Sequence, residues 1–158
     1  MLPKTIRVAP WSNNELKRLI KTPKIHFLDS GLLAALLDLS PKRIADDRGS
    51  FGALLETFVF SEVLKLSSWT GQRFSFSHFR DKDWNEVDIV IEDQDRKTVG
   101  LEVKASATVA TADFSGLRKL AEAAGKRFML GLVLYDGDAV VPFGPNLFAT
   151  PISSLWTS

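Results

Sequence analysis

The sequence predicts an α/β fold, a mixed sheet flanked by helices, on three observations. A stretch from residue 50 to about 67 has helical character and is apolar on nearly every side. Three short segments of alternating pattern follow it and read as a meander. After one more amphipathic helix comes Phe128–Tyr135, an apolar run typical of a strand covered on both faces. A strand, a crossover helix and a second strand pair in parallel, so the sheet is mixed.

The 158 residues suit one domain, and a hydrophobic fraction of 45% is enough for a sizeable core. No cysteine is present, which excludes disulfides and thiolate zinc sites and points to a cytoplasmic address. With His26 and His78 the only histidines, any metal falls to oxygen ligands, which favours Mg²⁺ or Mn²⁺. No run approaches the ~20 apolar residues that span a bilayer, so no membrane role is expected. Nor is there the apolar core of a signal peptide. Net charge is +1, unevenly spread. Residues 1–24 carry six cations against Glu15 alone, which leaves fourteen cations and eighteen anions elsewhere. We therefore divide the chain into a basic N-terminal arm or linker, 1–24, and a single domain, 25–158.

Within the arm, residues 13–20 suit a short amphipathic helix. Residues 24–28 read as a strand, followed by a helix to Leu37 capped by Asp29 or Ser30. Pro41 closes that unit, and residues 40–49 read as a polar loop. Ser50 suits the N-cap of the apolar helix. The strands are expected over residues 72–79, 86–92 and 98–105, with Asp81-Lys82-Asp83 as a turn. In the second strand, Val87, Ile89 and Ile91 alternate with Glu86, Asp88 and Val90. Residues 111–124 form the second helix, stopped by Gly125, and short strands near 139–143 and 147–149 precede a final turn. Trp11, Trp69 and Trp156 are expected in core or interface.

Glu56 lies on the apolar helix, where an ionised carboxylate is costly by several kcal/mol unless a cation meets it. Glu102 and Lys104 share one face of the third strand, and Asp88 can lie opposite or diagonal to Glu102. Glu102 and Lys104 alone could be a surface pair worth little. With a carboxylate on the covering helix as well, all four charges converge on one hollow.

Asp88 followed by Glu102-Val103-Lys104 on the next strand resembles the D…(D/E)-x-K signature of the PD-(D/E)XK nuclease superfamily. Glu56 resembles the extra glutamate of that superfamily's first core helix. The resemblance implies a restriction-endonuclease-like core. A closer similarity covers nearly the whole chain. It includes Pro10-Trp11-Ser12, Lys24-Ile25-His26-Phe27-Leu28-Asp29-Ser30-Gly31-Leu32, Gly52-Ala53-Leu54-Leu55-Glu56-Thr57-Phe58-Val59 and Phe79-Arg80-Asp81-Lys82. It continues through Asn85-Glu86-Val87-Asp88, Glu102-Val103-Lys104-Ala105-Ser106 and Pro151-Ile152-Ser153-Ser154-Leu155-Trp156. These stretches are similar to an uncharacterised domain that follows AAA-type ATPase modules in bacterial and archaeal proteins. That similarity implies a longer natural polypeptide with an upstream ATPase module. The chain itself has no Gly-x-x-x-x-Gly-Lys-Ser/Thr loop, so no ATP site is expected in it.

The resemblance implies that Asp88, Glu102, the carbonyl of Val103 and Glu56 hold Mg²⁺ or Mn²⁺. The expected catalytic set is Asp88, Glu102 and Lys104, with Lys104 orienting water and stabilising charge on a phosphate. Arg73, Arg80, Lys82 and Lys104 are the expected nucleic-acid contacts, and DNA the expected partner. The cations Arg73, His78, Arg80 and Lys82 interleave with Phe74, Phe76, Phe79 and Trp84. That pattern suits either stacking and phosphate contact or a strand burying its aromatics with cations at the rim. The competing function is a binding module for DNA or a partner of the ATPase, with no cleavage.

Overall fold

A computed structural model describes residues 5–13, 22–46 and 48–157, with the side chains of residues 48–50 left aside. In chain order the elements are β1 (Thr5–Pro10), β2 (Lys24–Phe27), α1 (Ser30–Leu36), α2 (Pro41–Asp46) and α3 (Arg48–Trp69). The meander follows as β3 (Ser75–Arg80), β4 (Glu86–Glu92) and β5 (Thr98–Lys104). A 3-10 turn, Thr111–Phe114, leads into α4 (Ser115–Ala124) and then β6 (Phe128–Tyr135), β7 (Val141–Gly144) and β8 (Leu147–Pro151). A further 3-10 turn, Ile152–Leu155, closes the chain's described part.

Among the described residues, eight strands form one mixed sheet in the order β2-β1-β3-β4-β5-β6-β8-β7. β3, β4 and β5 are the expected antiparallel meander, and β5 and β6 pair in parallel across α4. One core cluster lies under α4, around Phe114, Leu117, Leu120 and Val133. The other lies under α3, around Val59, Phe60, Ile89, Leu101 and Leu134. β6 contributes Val133 to one cluster and Leu134 to the other, as its continuous apolar run requires.

Three expectations need correction. Residues 5–10, read as part of an arm, form β1, which pairs antiparallel with β2 and parallel with β3. The alternation of buried Val8 and Pro10 with exposed Arg7 and Ala9 is the physical reason. Residues 41–46, read as loop, are helical: Pro41 starts the helix and Ser40 Oγ accepts the Arg43 N–H at 3.2 Å. Of the tryptophans expected in core or interface, Trp11 is buried in the core, whereas Trp69 at the end of α3 is 80% exposed and lies outside it. Of the helix expected over residues 13–20, all but Asn13 lies outside the described residues. Among the described residues, no helix is long and apolar enough to cross a membrane.

The cap of α1 is the one read from the sequence. Asp29 Oδ1 accepts the Leu32 N–H at 3.0 Å. Asp29→Ala is expected to lower stability by ~1 kcal/mol, measured as a shift in the urea midpoint at unchanged slope. No change would mean that solvent satisfies the first turn equally well.

Candidate functional site

The site forms where β4 and β5 part. Their ladder runs from Glu92↔Thr98 to Ile89↔Leu101. One residue further on, the Asp88 side chain takes the place of a strand partner, as its Oδ2 accepts the Val103 N–H at 2.9 Å. On the other edge of β4, Ser77 pairs with Val90 and Phe79 with Val87, so Asp88 and Ile89 together oppose His78 alone. This is a β-bulge. It breaks the expected alternation: Val87 and Val90 join the cluster under α4, while Ile89 and Ile91 pack in the one under α3.

Glu56 reaches the parting from α3, and a lysine waits between it and Asp88. Lys24 Nζ lies 2.5 Å from Glu56 Oε1 and 3.0 Å from Asp88 Oδ1. Burial alone would lower the Lys24 pKa, but Asp88 and Glu56 outweigh it and hold the ammonium above its usual range. Burial also pushes the Glu56 carboxyl up, reinforced by Asp88 and opposed by Lys24. The Glu102 carboxyl is pushed up to about 9, first by burial and then by Asp88. Its Oε2 is buried without a hydrogen-bond partner. His26, on the same strand as Lys24, is 2% exposed and stacks on Phe60 with ring centroids 4.4 Å apart. Burial, aided by Lys24, lowers its pKa to about 4, so it is neutral at pH 7, with Nε2 3.7 Å from Glu56.

Glu56 and Asp88 are thus brought together through Lys24, and Glu102 is electrostatically linked to both. Lys104 is placed differently. Its ammonium bonds Asp113 Oδ1, on the 3-10 turn before α4, and Asp113 Oδ2 accepts the Ala110 N–H at 2.7 Å. Val103 contributes its N–H to Asp88. Lys24, Asp113 and His26 were not among the expected site residues. The demand for a cation beside Glu56 was readable, but its source was not, because Lys24 and Asp88 stand 64 positions apart.

The expected nucleic-acid contacts divide. Arg80 and Lys82 line a cleft of about 560 Å³ with Lys24, His78 and Glu86. Arg80 Nε pairs with Glu86 Oε1 at 2.7 Å. Arg73 lies beyond the other end of β3, in a separate recess of about 430 Å³ beside Asp93, Asp95 and Lys97.

The donor set suits a hard divalent cation. Glu56, Asp88 and Glu102 bring three carboxylates and Lys24 one ammonium, leaving two negative charges when all are ionised. The buried Glu102 Oε2, without a hydrogen-bond partner, is one position where such a cation would find a free donor. Lys24 stands between Glu56 and Asp88, and among the described residues no three His, Cys, Asp or Glu side chains are grouped as a metal site.

Residues 51–155 match the family model described as Domain of unknown function (DUF4143), and residues 5–43 match a second, Domain of unknown function (DUF8612). Two uncharacterised proteins, Mb2031c of Mycobacterium bovis and Rv2008c of Mycobacterium tuberculosis, are each 25% identical over 153 residues. The matches cover 96% of this chain and 32% of each relative, so the chain spans about a third of their length. No solved structure matches the chain.

Proposed function

Since the chain belongs to the DUF4143 family, a domain that often follows AAA-type ATPase modules, we propose that it is a metal-dependent, nuclease-like domain acting on nucleic-acid phosphodiesters. In this reading it has a restriction-endonuclease-like core of the PD-(D/E)XK superfamily and forms the C-terminal part of a larger ATPase. One observation supports the proposal above the rest. Asp88 and Glu102 meet at the parting of two strands, with Glu56 beside them, so that three carboxyl groups face the single ammonium of Lys24.

Glu56, Asp88 and Glu102 would hold Mg²⁺ or Mn²⁺, which when bound would supply Lewis acidity. The chain's own part is positional. The Val103 amide and the bulge fix Asp88, and α3 fixes Glu56. Asp113 holds the Lys104 ammonium at the end of β5, where it can meet charge that builds on the phosphate. Arg80 and Lys82 give the substrate backbone a cationic approach.

The test is cleavage of supercoiled, linear and single-stranded DNA with Mg²⁺ or Mn²⁺. Wild type is expected to cut, with Asp88→Asn and Lys104→Ala each slower by roughly 10²–10³-fold. Folded wild-type protein that cuts none of these with either metal would overturn the proposal. A second reading, a module that binds DNA without cutting it, is favoured by the engagement of Lys104 with Asp113. It predicts salt-sensitive DNA binding that is indifferent to Lys104→Ala.

A further inference from the structure

Trp84 stands in the β3–β4 turn in a conformation that its own chemistry disfavours. Its φ is +63°, in the left-handed region where a bulky side chain is an outlier. The turn is pinned on both sides. Asp81 Oδ1 accepts the N–H groups of Asp83 at 2.8 Å and Asn85 at 2.9 Å, while Oδ2 accepts Asn85 Nδ2 at 2.9 Å. The indole gains no burial from this, since Trp84 is 72% exposed. It is not loose either: the Arg80 guanidinium lies 3.9 Å from the ring centroid and is anchored in turn by Glu86. One ring face is thus backed by a cation, and an indole this exposed leaves the other open to solvent. Arg80 also lines the cleft that contains Lys82, where the acidic groups are Asp81, engaged within the turn, and Glu86, paired with Arg80 itself. A polynucleotide backbone following those cations past Arg80 would bring a base to the open indole face.

We propose that Trp84, backed by Arg80, is a stacking platform for an unpaired base of a single-stranded nucleic acid whose phosphates lie along Arg80 and Lys82. The inference rests on the reading of the chain as a nucleic-acid domain and adds the form of the strand. Stacking needs an exposed base face, which a paired base inside a duplex does not offer, whereas cationic backbone contacts serve either form.

The test is binding by fluorescence anisotropy, in EDTA at low salt, of labelled oligothymidylate and of a blunt duplex of equal length. Wild type is expected to bind the single strand more tightly and to lose indole emission as it does so. Trp84→Ala is expected to weaken single-strand binding roughly tenfold and to leave duplex binding unchanged, while Trp84→Phe keeps most of the affinity. The exposed position removes little packing, and circular dichroism and melting curves of both variants confirm the fold. Equal binding of the single strand by wild type and Trp84→Ala overturns the platform and leaves the nucleic-acid reading standing. Failure of the wild type to bind either DNA overturns both.

Discussion

Gly116→Ala is expected to destabilise the chain by ~3 kcal/mol, the upper end of what an overpacked core tolerates. Gly116 sits in the first turn of α4, directly over the start of β4. A Cβ placed there would fall 1.8 Å from the Glu86 carbonyl oxygen and 2.7 Å from its carbon. The obstacle is backbone on both sides, so no side chain can swing away. Helix propensity favours alanine by ~1 kcal/mol, which the clash overwhelms. The helix would have to lift from the strand that leads into Asp88, so the variant should also loosen the bulge that aims the carboxylate. Gly52→Ala is the control. It lies in α3, where an added methyl meets nothing within 4 Å, and should gain ~0.5–1 kcal/mol. Urea midpoints for the two variants should move in opposite directions. A Gly116→Ala protein of wild-type stability would mean that α4 and β4 leave room for a methyl between them.

What could be read from the sequence follows from the range of each signal. The meander, the crossover helix and the apolar β6 are local patterns, and all are present. Asp88 next to Glu102 was legible because antiparallel neighbours connected by a short turn have few registers to choose from. The bulge was not, because two residues opposing one is a property of the β3–β4 pair and leaves no mark on β4 alone. Lys24 was hidden by distance in sequence and by its place among the cations of the basic arm. β1 is a different failure. Ile6, Val8 and Pro10 alternate with Thr5, Arg7 and Ala9, a period of two that the charge count obscured. Lys104 shows the limit of a motif. Its spacing from Glu102 set the strand face correctly, yet its ammonium answers to Asp113, which the motif does not mention.

The charge state of the cluster follows from these placements, and it makes Glu102→Gln the most informative substitution at the site. The Glu102 carboxyl titrates at about 9 in the folded chain against an ordinary 4.5, because burial and then Asp88 disfavour its anion. A raised carboxyl pKa means that the native state holds a proton which the unfolded chain has released. Stability from this group is therefore full below about pH 4.5 and is lost as pH rises toward 9. Each unit of pKa difference corresponds to ~1.4 kcal/mol, so even part of this shift gives an effect on the order of 2–4 kcal/mol at pH 8 to 9. Glutamine keeps the shape without an ionisable proton. The variant should be more stable than wild type at pH 8, with the gap closing toward pH 5. Mg²⁺ should act in the opposite sense, stabilising wild type at pH 8 by replacing the proton and leaving Glu102→Gln unmoved. Urea unfolding at a series of pH values, with and without Mg²⁺, measures both effects. A variant less stable than wild type at pH 8 without metal would mean that the Glu102 carboxylate is already ionised and paired in the native chain. The excess negative charge assigned to the cluster would then be neutralised from within.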